Sequence, residues 1–143
     1  MDQLIEFSNA HPLLVAGTIL MALAVIFYEL RMKASGLTAI STVQAVRLIN
    51  QGARVIDVRD KSQFDAGHIV NSIHIPAAEL DAEADKRLKH GKSIILVCDN
   101  GTKSSQCIAP MKKSGRENIF SLQGGLASWR QENLPVLTSE EKS

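Results

Sequence analysis

Hydrophobic and polar positions divide the chain into two regimes. From Phe7 to Tyr28 there is no acidic or basic side chain, and Leu13 to Tyr28 reads LLVAGTILMALAVIFY. At about 1.5 Å of rise per residue, roughly 20 such residues cross a bilayer core of about 30 Å. The apolar residues surround this helix on all sides, which suits lipid better than a one-sided protein core. The pattern predicts a short tail over 1–11, one N-terminal transmembrane helix over 12–30, and a linker of small residues over 31–38, centred on Ala34-Ser35-Gly36. A secretory signal peptide would want a positive stretch before its apolar core, whereas here Asp2 and Glu6 precede it. A buried core helix would need other segments apolar enough to surround it, and none follows. Arg31 and Lys33 lie just after the span, with no basic side chain before it. The positive-inside rule then places the N-terminus outside and the larger C-terminal part in the cytoplasm.

Beyond the linker, strand-like and helix-like patterns alternate. Ser41, with Gln44 three residues later, reads as a capping box opening a helix that ends at Gly52. Val55–Val58 is a short, β-branched strand suited to burial on both faces. Lys61–Ala66 reads as a short helix closed by Gly67, and Ile73 and Ile75 as a short strand before Pro76. Residues 77–90 are good helix formers ending at Gly91. Ser93–Val97 is the most hydrophobic strand of this half and runs straight into Cys98. Ser104–Ser114 reads as a helix closed by Gly115 that Pro110 should kink or shorten. Ile119–Leu122 is a last strand, after which Gly124-Gly125 turns the chain into a helix carrying Trp129. This alternation predicts an α/β domain over 39–137, a parallel sheet flanked by helices on both faces. Residues 138–143 read as a polar, frayed tail.

Composition narrows the function. With 45% hydrophobic and 22% charged residues the chain is globular rather than disordered. Its net charge is +1, and no basic cluster is interleaved with aromatics, so no nucleic-acid partner is expected. Cys98 and Cys107 are too few to staple a domain and lack zinc-site spacing, but they suit a reducing compartment. His11, His74 and His90 show no ligand spacing either, so no metal is expected.

The candidate chemistry centres on Cys98. In open α/β sheets ligands bind beyond the C-terminal ends of the strands. Cys98 stands at such an end, followed by Asp99-Asn100-Gly101-Thr102-Lys103 and a helix beginning near Ser104. A tight loop entering a helix N-terminus points several backbone N–H groups at one centre, and the helix dipole adds positive potential there. A thiolate or persulfide held at that centre is stabilised. Gly101 permits a positive φ, and Lys103 brings a cation useful for an anionic donor. From this pattern alone, a buried structural thiol remains as good a reading as a nucleophile.

Five segments in order shift that balance. They are Asp57-Val58-Arg59; Phe64-Asp65-Ala66-Gly67-His68-Ile69; Asn71-Ser72-Ile73-His74-Ile75-Pro76; Cys98-Asp99-Asn100-Gly101-Thr102-Lys103-Ser104; and Leu122-Gln123-Gly124-Gly125 with Trp129. Together they resemble the rhodanese-like family: its D-x-R, its F-x-x-G-H-I and following G-A-x-x-I-P, its C-x-x-G-x-R-S active loop, and its closing G-G and Trp. The resemblance implies a sulfurtransferase in which Cys98 takes a sulfane sulfur from thiosulfate or a persulfide. Cys98 then passes it to a thiol or other nucleophile. It implies no metal or organic cofactor. The loop amides from Asn100 to Ser104 would hold the persulfide, and Lys103 would orient the donor. Related dual-specificity phosphatases resemble C-x5-R, a longer cradle sized for phosphate. Here the basic residue, Lys103, stands five positions after Cys98, giving the shorter, sulfur-sized loop.

Departures from the family pattern bear on rate and donor. Lys103 replaces the usual Arg and loses its planar fork. Asp99 sets a negative charge beside the nucleophile. Asn71 and Ser72 occupy a usual glycine and a usual alanine position. Asp57 and Arg59 read as an ion pair steadying the site, His68 as fixing a turn through a ring hydrogen bond, and Cys107 as a core thiol rather than a resolving partner. Trp129 reads as core. Two functions remain in view. One is a membrane-tethered sulfurtransferase serving a small sulfur-donor anion or persulfide and a protein sulfur acceptor. The other is a non-catalytic adaptor that binds a membrane-protein partner. The short anchor-plus-domain layout suggests a single-pass protein of a bacterial inner membrane, in contact with its lipid.

Overall fold

The computed structural model describes residues 8–36, 38–88 and 92–142. Two compact units divide between Leu37 and Thr38. The first is dominated by helix α1, Pro12–Gly36. Its window Pro12–Arg31 is long and apolar enough to cross a membrane, and Leu13, Leu14, Met21 and Phe27 are all exposed. The predicted linker does not begin at residue 31. The helix continues to Gly36 because Glu29, Leu30, Arg31, Met32, Lys33 and Ala34 are strong helix formers and no Pro interrupts them.

The second unit holds strands β1 (Ala39–Ile40), β2 (Arg54–Asp57), β3 (His68–Ile69), β4 (Ile73–His74), β5 (Ile94–Val97), β6 (Ile119–Leu122) and β7 (Val136–Leu137). Between them run α2 (Thr42–Asn50), α3 (Lys61–Ala66), α4 (Leu80–Arg87), α5 (Thr102–Lys113) and α6 (Gly125–Gln131). Five strands form one parallel sheet in the order β1-β6-β5-β2-β4. Alternating strand residues feed two separate cores, the signature of a sheet buried on both faces. Ile56, Ile94, Leu96 and Ile119 face Leu80 of α4 and Ile108 and Met111 of α5. Val55, Ile95, Val97 and Leu122 face Ala45 of α2 and Leu126 and Trp129 of α6. The Trp129 indole N–H donates to the Pro135 carbonyl at 3.1 Å, so its polar tip is satisfied within the core.

Local chemistry explains most boundaries. Ser41 caps α2 with both halves of the capping box formed: the Gln44 amide donates to Ser41 Oγ, and the Ser41 amide to Gln44 Oε1. Residues 77–90 were expected as one helix, but Ala77–Glu79 is a 3₁₀ turn set by Pro76 before α4 begins at Leu80. The predicted stop at Gly91 lies outside the described residues. Helix α5 begins at Thr102, two residues earlier than expected, because Asn100 Oδ1 accepts the Thr102 amide at 3.1 Å. Pro110 does not shorten α5, which continues to Lys113. The proline forfeits one N–H, but buried Met111 anchors the last turn and the Ser114 amide caps the Pro110 carbonyl. Asn71, at a usual glycine position, adopts φ 61° in a turn closed by Ser72 N–H to Ile69 C=O, a conformation Asn tolerates better than most residues.

The antiparallel pair β3–β7 is absent from the sequence reading, and so is the docking of the tail. His68 pairs with Leu137 and Ile69 with Val136. Ser139–Lys142 then forms a 3₁₀ turn rather than fraying, with Ser139 Oγ donating to Asp65 at 2.7 Å. Lys61 and Ser139 together hold the Asp65 carboxyl below the usual carboxylate range.

Ile95 is 1% exposed at the centre of the sheet. Ile95→Ala is therefore expected to cost about 2–5 kcal/mol of unfolding free energy, read by urea denaturation of the purified chain.

Candidate active site

The chain runs from β2 outward to β4 and then returns to β5 on the other side of β2. This reversal falls at the C-terminal ends of β2 and β5, where open α/β sheets bind ligands. Cys98 follows β5 and Arg59 follows β2, so both stand at that end of the sheet.

Cys98 is 2% exposed, and its sulfur sits inside the loop that leads into α5. Sγ accepts the Gly101 amide at 3.0 Å and the Ser104 amide at 3.4 Å, with Ser104 Oγ also at 3.4 Å. Two amides at the N-terminus of a twelve-residue helix therefore converge on one sulfur. Of the loop amides from Asn100 to Ser104, those of Gly101 and Ser104 are the ones bonded to the thiol sulfur itself. The Thr102 amide is taken by Asn100 Oδ1 and does not reach the sulfur. Thr102 and Lys103 are exposed on the first turn of α5.

Residues outside the motif fix this loop. Gly101 has φ 89°, and a Cβ there would lie 3.1 Å from the Leu122 carbonyl oxygen and the Gly124 nitrogen. Gly125 is tighter still, for its Cβ would come within 2.3 Å of the Cys98 carbonyl oxygen. That approach lets the Leu126 amide donate to Cys98 C=O at 2.8 Å and the Ala127 amide to Asp99 C=O at 3.0 Å. Beneath the loop, fully buried Ser104 shares a hydrogen bond with Ser121 Oγ at 2.7 Å, and Ser105 Oγ donates to the Gly101 carbonyl at 2.6 Å. Gly125, Ser121 and Ser105 escaped the sequence reading as site residues. A serine buried inside the apolar strand IFSL was the available signal, since a buried hydroxyl needs a partner.

A second cluster forms the wall beside Cys98. The Arg59 guanidinium donates to Asp57 through Nε and Nη2, the shortest contact being 2.6 Å, and also to the Gly67 carbonyl at 2.7 Å. Its remaining nitrogen, Nη1, reaches Asp99 Oδ1 at 3.2 Å, and Gln63 donates to Asp99 Oδ2 at 2.9 Å. Burial pushes the Arg59 pKa down, but the hydrogen bonds and charges of Asp57 and Asp99 outweigh it and hold it above the ordinary value. Asp99 thus turns towards Arg59, but that one cation also serves Asp57, so the charge beside Cys98 is offset only in part. Gln63 is a site neighbour that the sequence did not indicate.

His68 stands apart from the sulfur. Its ring is buried, bonds the Phe64 carbonyl through Nδ1 at 2.8 Å, and stacks on the Phe64 ring at 3.9 Å. His74 bonds the Arg59 carbonyl through Nε2 at 2.7 Å and so steadies the same wall. Cys107 is half-buried on α5 and packs against the core cluster that contains Cys98. Burial, then the nearness of Cys98, pushes the Cys107 thiol up, which keeps it protonated at neutral pH. Among the described residues no group of three His, Cys, Asp or Glu side chains is placed to hold a metal ion.

Comparison with known proteins gives this arrangement a family. The model of the rhodanese-like domain matches residues 41–132. The uncharacterized protein YibN of Escherichia coli is 32% identical over 96% of this chain and 98% of its own length. Thiosulfate sulfurtransferase GlpE of Pseudomonas syringae is 34% identical over 61% of this chain and 81% of its own. The crystal structure of a rhodanese-related protein from Thermoplasma volcanium, 32% identical, superposes with a TM-score of 0.62 over 69% of this chain and 96% of that one. The chain belongs to the rhodanese-like domain family.

Gly125→Ala is expected to push α6 off the Cys98–Asn100 backbone and disorder the loop. Iodoacetamide labelling of Cys98 should then lose any difference between native and urea-unfolded protein, while the rest of the fold survives by circular dichroism.

Proposed function

We propose that the chain is a membrane-tethered sulfurtransferase that carries sulfane sulfur on Cys98. The observation that carries this reading is the convergence of the Gly101 and Ser104 amides on Cys98 Sγ at the start of α5. A neutral core cysteine, a weak acceptor, gains little from two donors and a helix N-terminus, whereas a thiolate or persulfide anion gains much more.

The chemistry proceeds in two displacements. The Cys98 thiolate attacks the outer sulfur of the donor, the sulfur–sulfur bond of the donor breaks, and its remainder leaves with the bonding pair. With thiosulfate the leaving group is sulfite; with a persulfide it is a thiolate. Cys98 now bears a persulfide with the negative charge on its terminal sulfur. An acceptor thiolate attacks that terminal sulfur, becomes the new persulfide, and releases Cys98 as thiolate. No net oxidation occurs, and no cofactor is required. Lys103, at the rim of the loop, attracts an anionic donor. The chain's similarity to GlpE, a thiosulfate sulfurtransferase by name, supports the same chemistry here.

The test is intact-protein mass spectrometry after incubation with thiosulfate or a low-molecular-weight persulfide. Wild type should gain one sulfur atom; Cys107→Ser should gain it too, because its thiol is held protonated; Cys98→Ser should not. If wild type gains none from either donor, the enzyme reading falls, and a rhodanese-fold adaptor for a protein partner takes its place.

Tethering rests on α1, whose window Pro12–Arg31 suits a bilayer core and whose last turn carries Lys33. On this reading the N-terminus faces outward across a bacterial inner membrane and the sulfurtransferase domain lies in the cytoplasm. In spheroplasts, protease should leave the domain intact until the membrane is permeabilised; digestion beforehand would reverse the topology.

A further inference from the structure

The wall beside Cys98 has an unusual charge balance. All three guanidinium nitrogens of Arg59 are engaged within the protein, by Asp57, Asp99 and the Gly67 carbonyl. The side chain is only 4% exposed, so it turns no free face to an incoming anion. One cation here serves two carboxylates, leaving one negative charge in excess. Asp57 is buried against Arg59, whereas the Asp99 side chain is 58% exposed. The excess therefore shows at Asp99, the residue next to the nucleophile. Gln63 pins its second oxygen, so the charge stands at a fixed place at the mouth.

Neighbouring charges are of both signs, and the Arg130 guanidinium, packed against Gly67, is one of the cations. Asp60, which follows Arg59 on the same rim, is exposed, and its side chain makes no capping bond to α3. Lys61 is paired with Asp65. Lys103, exposed on the first turn of α5, is the cation that the loop itself contributes, and exposed Asp60 matches it in charge. A dianion such as thiosulfate thus meets a mouth with no positive excess, while a sulfur carrier bearing an ammonium group meets a fixed carboxylate.

We propose that Asp99 is the specificity-determining residue of this site, selecting persulfides borne on amine-containing, net neutral or cationic thiols over the thiosulfate dianion. The proposal rests on the sulfurtransferase reading of Cys98 and adds the class of donor. Coulomb energy scales with the charge of each partner, so removing one fixed charge a few ångströms away affects a dianion most.

The experiment uses the full chain with Cys107→Ser, so that Cys98 alone reports, and compares it with the same chain carrying Asp99→Asn. Asparagine keeps an oxygen for Arg59 and removes the charge, together with the oxygen that accepts from Gln63. Cys98 loading is timed with thiosulfate and with the persulfide of 2-aminoethanethiol at several ionic strengths. Asp99→Asn should speed loading by thiosulfate about tenfold at low salt, a gain that shrinks as salt is added, and should slow loading by the aminothiol persulfide or leave it unchanged. Equal changes for both donors, or none, would overturn the proposal. Alkylation separates this outcome from failure of the sulfurtransferase reading. Asp99→Asn should raise the rate of Cys98 with anionic iodoacetate relative to neutral iodoacetamide by about threefold or more, whether or not sulfur is transferred. An unchanged ratio sinks the charge effect. A changed ratio with no sulfur loaded from either donor sinks the enzyme reading alone.

Discussion

At the start of α6 the amides of Leu126 and Ala127 bond the carbonyls of Cys98 and Asp99, at a separation that leaves no room for a side chain on Gly125. The form of the site depends on this approach. With the carbonyls of the loop held from one side, its amides turn to the other, and those of Gly101 and Ser104 meet at Cys98 Sγ. The loop is braced from beneath as well, because Ser104 bonds Ser121 on β6 and Ser105 bonds the Gly101 carbonyl. The sulfur is thus placed by backbone groups fixed from two elements far away in sequence. Backbone donors that are already oriented cost little reorganisation when charge develops on the sulfur.

The two-sided sheet supplies the rigidity that this arrangement needs. Because β2 and β5 are buried on both faces, successive side chains enter different cores, and neither strand can slip without exposing apolar groups. The ends of both strands are thereby fixed, and with them Cys98 and Arg59. The Arg59 cluster adds a polar brace across the mouth, tying β2, the turn at Gly67 and Asp99 through one guanidinium. Buried as it is, that cation depends most on Asp57, its buried partner, because the exposed Asp99 alone would compensate it poorly.

Much of this was legible in the residues. The capping box at Ser41, the strand running into Cys98, and the closing Gly124-Gly125 each carry a local physical signal, and the structure forms all three. Other features were invisible for equally physical reasons. Strands β3 and β7 are two residues each, too short for any periodicity, and exist only because the chain end returns to pair. Ala34-Ser35-Gly36 read as the centre of a linker for their small side chains, yet the helix formers before them carry α1 onward. The sequence showed Asp99 as a charge beside the nucleophile, but not that Arg59 and Gln63, distant in sequence, hold it in place.

The α/β alternation and the apolar helix near the N-terminus follow from neighbours within a few positions, where hydrophobic period and capping chemistry act. Cys98 stood out because five segments along the chain resemble one family in order. Only the tertiary structure decided which amides reach the sulfur, which residues brace the loop, and where the charge of Asp99 is directed. Those outcomes depend on groups dozens of residues apart meeting at the end of a sheet, and chain-local patterns carry no record of such meetings.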